Sequence, residues 1–224
     1  MTIRAVVFDL DGTLVETAPD LHAVMATVLE EEGCPVPALA EVRRMVGNGA
    51  RALLQRGFAA AGQTLEGARL ERLYARFLEI YVAAPCRFSF AYPGVDQALE
   101  HLAAAGLGLG ICTNKPQRPT ELLLDALDLR RHFRSIVGGD VLATRKPDPA
   151  HLHAVLDALG VSPGESALVG DSRNDSEAAR AAGAACILVS FGYTDTPAIE
   201  LGADRVIDHF HELPEALASL GRMA

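Results

Sequence analysis

Short apolar runs of strand length recur along this chain, separated by segments with helical start and stop signals. The runs carry few charged residues, which is typical of strands buried on both faces. They comprise residues 3–8, 107–112, 135–137, 167–169, 186–189 and 205–207. One intervening helix is predicted between Pro93 and Gly106. Such an alternation predicts an α/β fold with a doubly wound parallel sheet.

The alternation is interrupted between the first two predicted strands, where the chain reads as successive helices. Apolar residues recur there at three- and four-residue spacing, which is the pattern of a helix with one buried face. Two such stretches run from Leu21 to Leu29 and from Leu70 to Tyr81. We therefore expect a small all-helical cap domain, residues 16–87, inserted into an α/β core domain made of residues 1–15 and 88–224.

The charge balance excludes some classes of partner. The 224 residues contain 20 Lys and Arg against 29 Asp and Glu, which gives a net charge of −9. This field opposes a general nucleic-acid surface or an anionic membrane surface, so neither partner is expected. Asp9 and Asp11 interrupt the apolar stretch that a signal peptide would need, so the expected location is cytoplasmic. The sequence makes no prediction of oligomeric state.

Polar residues follow several of the predicted strands. The first strand ends in the sequence DLDGT, residues 9–13, and the second in Thr113 and Asn114. The fourth ends in GDSRND, residues 170–175, and Lys146 precedes a predicted helix. Because ligands bind outside the carboxyl ends of the strands in open α/β sheets, these residues are predicted to converge on one crevice.

The chemistry of such a crevice follows from its residue types. Carboxylates packed together repel one another, and their pKa values rise unless protons or a cation intervene. Mg²⁺ prefers oxygen ligands and would relieve this repulsion. With the metal bound, one carboxylate can attack phosphorus while a hydroxyl and a lysine hold the phosphate oxygens. The spacing of Asp171 and Asp175 places both acids on one side of a helix start, close enough to share a metal.

These groups, in this order, resemble the four motifs of the haloacid dehalogenase superfamily, and the resemblance spans the whole chain. It implies that Asp9 is the nucleophile and that Asp11 is the general acid and base. It also implies that Thr113 and Lys146 bind the phosphoryl group. The implied metal ligands are Asp9, Asp11 through its main-chain carbonyl, Asp171 and, in support, Asp175. An acid at position 11 is typical of the phosphatases in this superfamily, whereas its dehalogenases lack it.

Further segments are similar to bacterial phosphoglycolate phosphatases, which implies that the substrate is a small phosphorylated metabolite, 2-phosphoglycolate. These segments are residues 17–21, 45–51, 109–116 and 137–140. Within them, a predicted turn of Gly47, Asn48 and Gly49 precedes a helix that begins near residue 50. Its N–H groups suit a carboxylate, and Arg51 offers a contact with two hydrogen bonds. Gly12 and Asn114 complete the predicted substrate-binding set.

Several alternatives remain open at this point. The turn at residues 47–49 also suits a plain helix–helix connection, and Arg51 suits a structural arginine. The substrate could be another sugar or amino-sugar phosphate. A β-phosphoglucomutase-type phosphomutase would share the chemistry, but position 21, where we expect a histidine in such mutases, is Leu21. A signalling receiver phosphorylated on aspartate would have about half this length and no helical insert.

Overall fold

The computed structural model describes residues 2–223. Its strands are β1 (Thr2–Ile3), β2 (Ala5–Phe8), β3 (Val15–Glu16), β4 (Phe90–Ala91), β5 (Gly108–Cys112), β6 (Ser135–Val137), β7 (Ser166–Gly170), β8 (Ala185–Val189), β9 (Arg205–Ile207) and β10 (Arg222–Met223). Its α-helices are α1 (Ala18–Glu31), α2 (Leu39–Met45), α3 (Gly49–Ala60), α4 (Gly67–Ala83), α5 (Val95–Ala104), α6 (Gln117–Ala126), α7 (Pro149–Leu159), α8 (Arg173–Ala182) and α9 (Leu213–Leu220). Over the described residues, none of these helices combines the length and the apolar character that a membrane span requires.

Six strands form one parallel sheet in the order β6-β5-β2-β7-β8-β9. The first of them, β2, is central, and its Phe8 lies opposite Ile111 of β5 and Val169 of β7. The chain therefore winds first towards one edge and later towards the other, and the carboxyl end of β2 is the switch point at which ligands bind in such sheets. The doubly wound parallel fold predicted from the sequence is confirmed.

The sheet is buried on both faces, which explains why its strands are continuously apolar. Successive side chains of β2 point to opposite faces, so Val6 and Phe8 belong to one apolar cluster while Ala5 and Val7 belong to the other. Helices α5, α6 and α9 cover the first face, and α7 and α8 cover the second. The predicted strands match the observed ones to within about two residues at each end, except that the first is divided at Arg4.

Helices α1 to α4 enclose an apolar cluster of their own. Several side chains of the two predicted helix faces are fully buried in it, namely Met25, Val28, Leu29, Leu73, Phe77 and Tyr81. Leu70 and Leu78 of the second predicted face are only partly buried. In α3, Gly57 allows close approach to α1, because a Cβ there would collide with the Met25 side chain. The expected helices are present, and the division into a cap domain and a core domain stays a prediction.

Two chain connections join α1–α4 to the sheet, and they lie side by side. The first contains β3 and the second β4, and the two strands pair antiparallel. The buried Asp20 carboxylate in the first turn of α1 accepts hydrogen bonds from the main-chain N–H groups of Arg87, Phe88 and Ser89 and from the Ser89 hydroxyl. One carboxylate therefore ties the start of α1 to the second connection, a contact that the sequence analysis did not predict.

Candidate active site

A cavity lies between the carboxyl edge of the sheet and α1–α4, with about 490 Å³ of empty space when the solvent at its mouth is included. Its two sides differ in chemistry. The side towards the sheet is polar and is lined by Asp9, Asp11, Thr113, Asn114 and Lys115. The side towards the helices is mostly apolar, with Leu21, Val46, Leu53, Phe77, Leu78 and Tyr81 among its lining residues. The predicted crevice is therefore present, and α1–α4 face it.

Asp9 follows β2 directly and lies beside the buried ammonium group of Lys146. Lys146 Nζ is 3.0 Å from Asp9 Oδ1 and donates a hydrogen bond to Asp175 Oδ1 at 2.6 Å. Burial raises the pKa of Asp9 to about 6, and the nearby carboxylates add to the rise while Lys146 opposes it. Burial lowers the pKa of Lys146, but the two carboxylates raise it above its ordinary value, so this side chain stays charged.

Asp171 follows β7 and Asp175 lies in the first turn of α8, and neighbouring N–H and hydroxyl groups hold both carboxylates. Asp171 Oδ2 accepts the N–H of Tyr193 at 2.7 Å, and Asp175 Oδ2 accepts the N–H and the hydroxyl of Ser172 at 3.0 and 2.7 Å. Gly170 precedes this pair, and a Cβ at that position would collide with the Asp175 carboxylate. Burial, and then the charges of Asp175 and Asp9, raise the pKa of Asp171 well above its ordinary value.

The structure brings together the carboxylates of three predicted metal ligands. Carboxylate oxygens of Asp9, Asp171 and Asp175 lie within 4.8 Å of one another, and all three residues are buried. Asp9 Oδ1 accepts no well-aligned hydrogen bond from the described residues and has only the Lys146 ammonium group, 3.0 Å away, to balance its charge. The cluster therefore fits a divalent cation with oxygen ligands. The Asp11 carboxylate pairs with Lys115, and the contact of the Asp11 main-chain carbonyl with a metal stays a prediction.

The residues after β5 connect the sheet to its surroundings. Thr113 lines the cavity, and its hydroxyl accepts the N–H of Lys115 at 3.2 Å. Asn114 Nδ2 donates to the main-chain oxygens of Lys146 and Gly47, each at 3.0 Å. Asn114 thus fixes the Lys146 loop and also anchors the connection between α2 and α3.

Gly12, predicted to bind substrate, is packed against the acidic cluster. Its φ of +80° favours glycine, and a Cβ there would lie 2.6 Å from Asp171 Oδ2 and 2.9 Å from the Tyr193 ring. The observed reason for glycine at this position is therefore the close approach of Asp171 and Tyr193.

The turn at residues 47–49 is docked onto the sheet side. The Gly47 carbonyl accepts hydrogen bonds from the side-chain amides of both Asn114 and Asn174, and Asn48 Oδ1 accepts from Asn174 at 2.8 Å. Gly47 and Gly49 line the cavity, whereas Asn48 does not. The contacts seen at this turn therefore use its carbonyl and side-chain oxygens to join the two sides of the cavity.

Arg51 lies outside the cavity. Its guanidinium donates three hydrogen bonds to the Glu71 carboxylate, at 2.9, 3.3 and 2.8 Å, and stacks 3.7 Å from the centre of the Tyr74 ring. It is not among the residues that line the cavity in the described chain. The structure therefore does not place Arg51 where the sequence analysis expected a substrate carboxylate.

Two cavity residues without a predicted role are Lys115 and Tyr81. Lys115 Nζ is 3.1 Å from Asp11 Oδ1 and 4.3 Å from the centre of the Tyr81 ring, and both side chains are buried. Burial lowers the pKa of Lys115, but Asp11 and Tyr81 raise it above its ordinary value. Lys115 lies at a strand end, which is a signal for a site residue, whereas Tyr81 continues an apolar helix face and gives no such signal.

Two residues that do not line the cavity, His151 and Tyr193, hold residues of the site in place. His151 Nδ1 accepts the Lys146 N–H, its Nε2 donates to the Gly138 carbonyl, and burial lowers its pKa to about 4. The Tyr193 N–H holds Asp171, while its hydroxyl accepts the N–H groups of Thr17 and Ala18 and donates to Glu16. Tyr193 thereby connects the acidic cluster to the start of α1.

Comparison with known proteins agrees with this geometry. A family model of haloacid dehalogenase-like hydrolases matches residues 3–183. The chain belongs to this family. The chain is 44% identical over 215 residues to a phosphoglycolate phosphatase of Caulobacter vibrioides. The match covers 96% of this chain and 91% of the relative.

Solved structures of the family share the whole fold. A "predicted phosphoglycolate phosphatase" from Haemophilus somnus superimposes with a TM-score of 0.90 at 31% identity, covering 96% of this chain and 98% of the other. CbbY from Rhodobacter sphaeroides, solved as a mutant with xylulose-(1,5)bisphosphate, gives a TM-score of 0.83 at 27% identity, covering 96% and 99%. The sheet and the helices α1–α4 therefore both lie within the part of the chain that these two structures match.

Proposed function

We propose that this protein is a Mg²⁺-dependent phosphatase that hydrolyses 2-phosphoglycolate to glycolate and phosphate. The observation that carries the proposal is the buried Asp9 carboxylate, which faces the cavity beside Lys146 and within reach of Asp171. The phosphoglycolate phosphatase named among the relatives supports the choice of substrate. Helices α1–α4 would act as the cap, residues 16–87, and cover the reacting groups.

In the first step, a carboxylate oxygen of Asp9 attacks phosphorus, and the bond between phosphorus and the glycolate oxygen breaks. The Asp11 carboxylic acid gives its proton to the departing oxygen. Lys146 and Thr113 hold the non-bridging phosphate oxygens as negative charge builds on them. Glycolate and an aspartyl-phosphate on Asp9 result.

In the second step, Asp11 takes a proton from water, and the hydroxide formed attacks phosphorus. The bond to the Asp9 oxygen breaks, which releases phosphate and restores the carboxylate. A bound Mg²⁺ would neutralise charge on the phosphate oxygens. Asp9, Asp171 and the Asp11 main-chain carbonyl would hold it, with Asp175 in support. The cap limits the water that reaches the intermediate to the molecule that reacts.

The intermediate provides a direct test. The Asp11→Asn variant should accept a phosphoryl group from a reactive donor such as p-nitrophenyl phosphate, because a good leaving group needs no proton. Mass spectrometry of the quenched protein should place the phosphoryl group on Asp9. The control is the double variant Asp9→Asn with Asp11→Asn, which should remain unlabelled. A label on any other residue contradicts the assigned nucleophile.

The substrate is tested by ranking about twenty phosphate esters by kcat/KM, with Mg²⁺ and with a chelator. We expect 2-phosphoglycolate to rank first and the chelator to remove activity. The panel includes sugar bisphosphates, since a structural relative holds xylulose-(1,5)bisphosphate. It also includes a hexose 1-phosphate as a test for mutase activity, which Leu21 on the cavity wall disfavours. A sugar phosphate in first place would overturn the choice of 2-phosphoglycolate.

A further inference from the structure

Lys115 is the one positively charged side chain that lines the cavity in the part of the chain that the structure describes. Lys146 is already engaged by two carboxylates, and Arg51 is held outside by Glu71. Lys115 has three donor hydrogens, and Asp11 is its one acceptor among the described residues. This ammonium group can therefore donate hydrogen bonds to an anionic group of a ligand bound in the cavity.

The Tyr81 hydroxyl is a second unused polar group at the same place. Tyr81 is only 1% exposed, its oxygen has no hydrogen-bond partner within the described chain, and its ring lies 4.3 Å from Lys115 Nζ. A buried hydroxyl without a partner is unfavourable, because it has lost its hydrogen bonds to water. The residue reaches this position from α4, on the side of the cavity opposite the sheet.

The position of Lys115 relative to the reaction centre suits a carboxylate. In 2-phosphoglycolate the carboxylate carbon is two bonds from the oxygen that leaves phosphorus, and this oxygen is the one that Asp11 would protonate. A group that recognises the carboxylate must therefore lie next to Asp11. Lys115 is 3.1 Å from the Asp11 carboxylate.

We propose that Lys115 Nζ and Tyr81 Oη bind the substrate carboxylate and make the enzyme selective for phosphorylated acids over neutral phosphate esters. This inference rests on the proposed phosphatase function and assigns its specificity to a pair of residues, one from each side of the cavity. Lys115 supplies the charge, and Tyr81 supplies a hydrogen bond only when the two sides meet.

The test compares two substrates that differ at one group, 2-phosphoglycolate and 2-hydroxyethyl phosphate. Because Lys115 also touches Asp11, the measured quantity is the ratio of the two kcat/KM values, which cancels any effect common to both. Lys115→Met should lower this ratio about 10- to 150-fold, the range for a hydrogen bond to a charged group. Lys115→Arg should restore part of it. Tyr81→Phe should lower the ratio about 3- to 10-fold.

Two other variants test whether the change in this ratio is specific to Lys115. Arg76→Ala removes a cation from the outer surface of α4 and should leave the ratio unchanged. Arg51→Ala tests the sequence-based assignment directly. A ratio that falls in Arg51→Ala and holds in Lys115→Met overturns the inference, as does an equal loss on both substrates in Lys115→Met.

Ligand binding provides a readout that does not depend on turnover. Calorimetry with Mg²⁺ should show that Lys115→Met weakens binding of 3-phosphonopropionate at least about tenfold and leaves propylphosphonate within about twofold. Unchanged binding of 3-phosphonopropionate would overturn the inference. If the wild-type enzyme hydrolyses neither ester, the proposed function fails and these affinities alone decide the role of Lys115.

Discussion

Ion pairs occur on both sides of the cavity, but in opposite surroundings. On the sheet side, Lys146 lies among buried carboxylates and Lys115 is buried with Asp11. On the helices, the arginines pair with glutamates on the outer surface, in the pairs Arg51–Glu71, Arg72–Glu32 and Arg76–Glu31. Basic and acidic side chains thus form a buried cluster at the candidate site in one region and a solvated surface in the other.

The contribution of an ion pair to stability depends on how far the pair is buried. An exposed pair gains little, because water screens the charges and the side chains lose freedom. A buried set costs solvation, and the raised pKa values of Asp9 and Asp171 show that this cost is not fully offset in the metal-free protein. Substitutions in the two regions should therefore differ in kind as well as in size.

Asp9→Asn should give the largest effect. It removes the proposed nucleophile and a proposed metal ligand together, so kcat should fall by roughly four orders of magnitude or more. The raised pKa of Asp9 means that its charge opposes folding at pH 7.5, so the variant should be at least as stable as the wild type in a chelator. Urea unfolding measures the stability, and a steady-state assay measures kcat. A large loss of stability would contradict the conclusion that the charge of Asp9 opposes folding.

Asp20→Ala tests whether a buried carboxylate outside the proposed active site has a structural role. Asp20 lies in the helical region, and its carboxylate accepts hydrogen bonds from the chain that returns to the sheet. Removing it leaves buried donors unpaired, so the free energy of unfolding should fall by about 3 kcal/mol. Asp20→Asn keeps one acceptor and should lose less, as measured by urea unfolding. Equal stability of the alanine variant and the wild type would contradict this structural role.

The dependence of metal binding on pH gives a third test. The pKa of Asp9 is near 4 in the unfolded chain and about 6 in the metal-free fold. The metal-free protein therefore loses stability from this group as the pH rises from about 4 to above 6. Mg²⁺ needs ionised ligands, so it should raise Tm by about 3 to 8 °C at pH 7.5 and hardly at pH 5. Potassium chloride at matched ionic strength is the control, and an equal Mg²⁺ effect at both values argues against the carboxylate cluster as the site.

Arg51→Ala should give the smallest effect. Its pair with Glu71 is solvent-exposed, so Tm should change by less than about 2 °C. The kcat/KM for 2-phosphoglycolate should stay within about threefold of the wild type, because the side chain does not line the cavity. A tenfold loss confined to this substrate would return Arg51 to the site.

The site residues that the sequence predicted well are those that directly follow a strand of the sheet. Asp9 and Asp171 each follow a buried apolar run, so recognising the parallel sheet already brings them to one edge. The contact of Arg51 with Glu71 could not be predicted, because the turn before α3 does not specify which neighbour its side chain meets and Glu71 belongs to a different helix. Tyr81 and Asp20 depend on contacts between distant segments, and their local patterns are those of ordinary helix residues.

Tyr193 has a consequence for how products leave. Its N–H holds Asp171, and its hydroxyl receives the first N–H groups of α1. A movement that lifts α1 away from the sheet either breaks these hydrogen bonds or displaces the residue that aligns Asp171. Products that leave by separation of α1 from the sheet would then also disturb the position of Asp171, a proposed metal ligand.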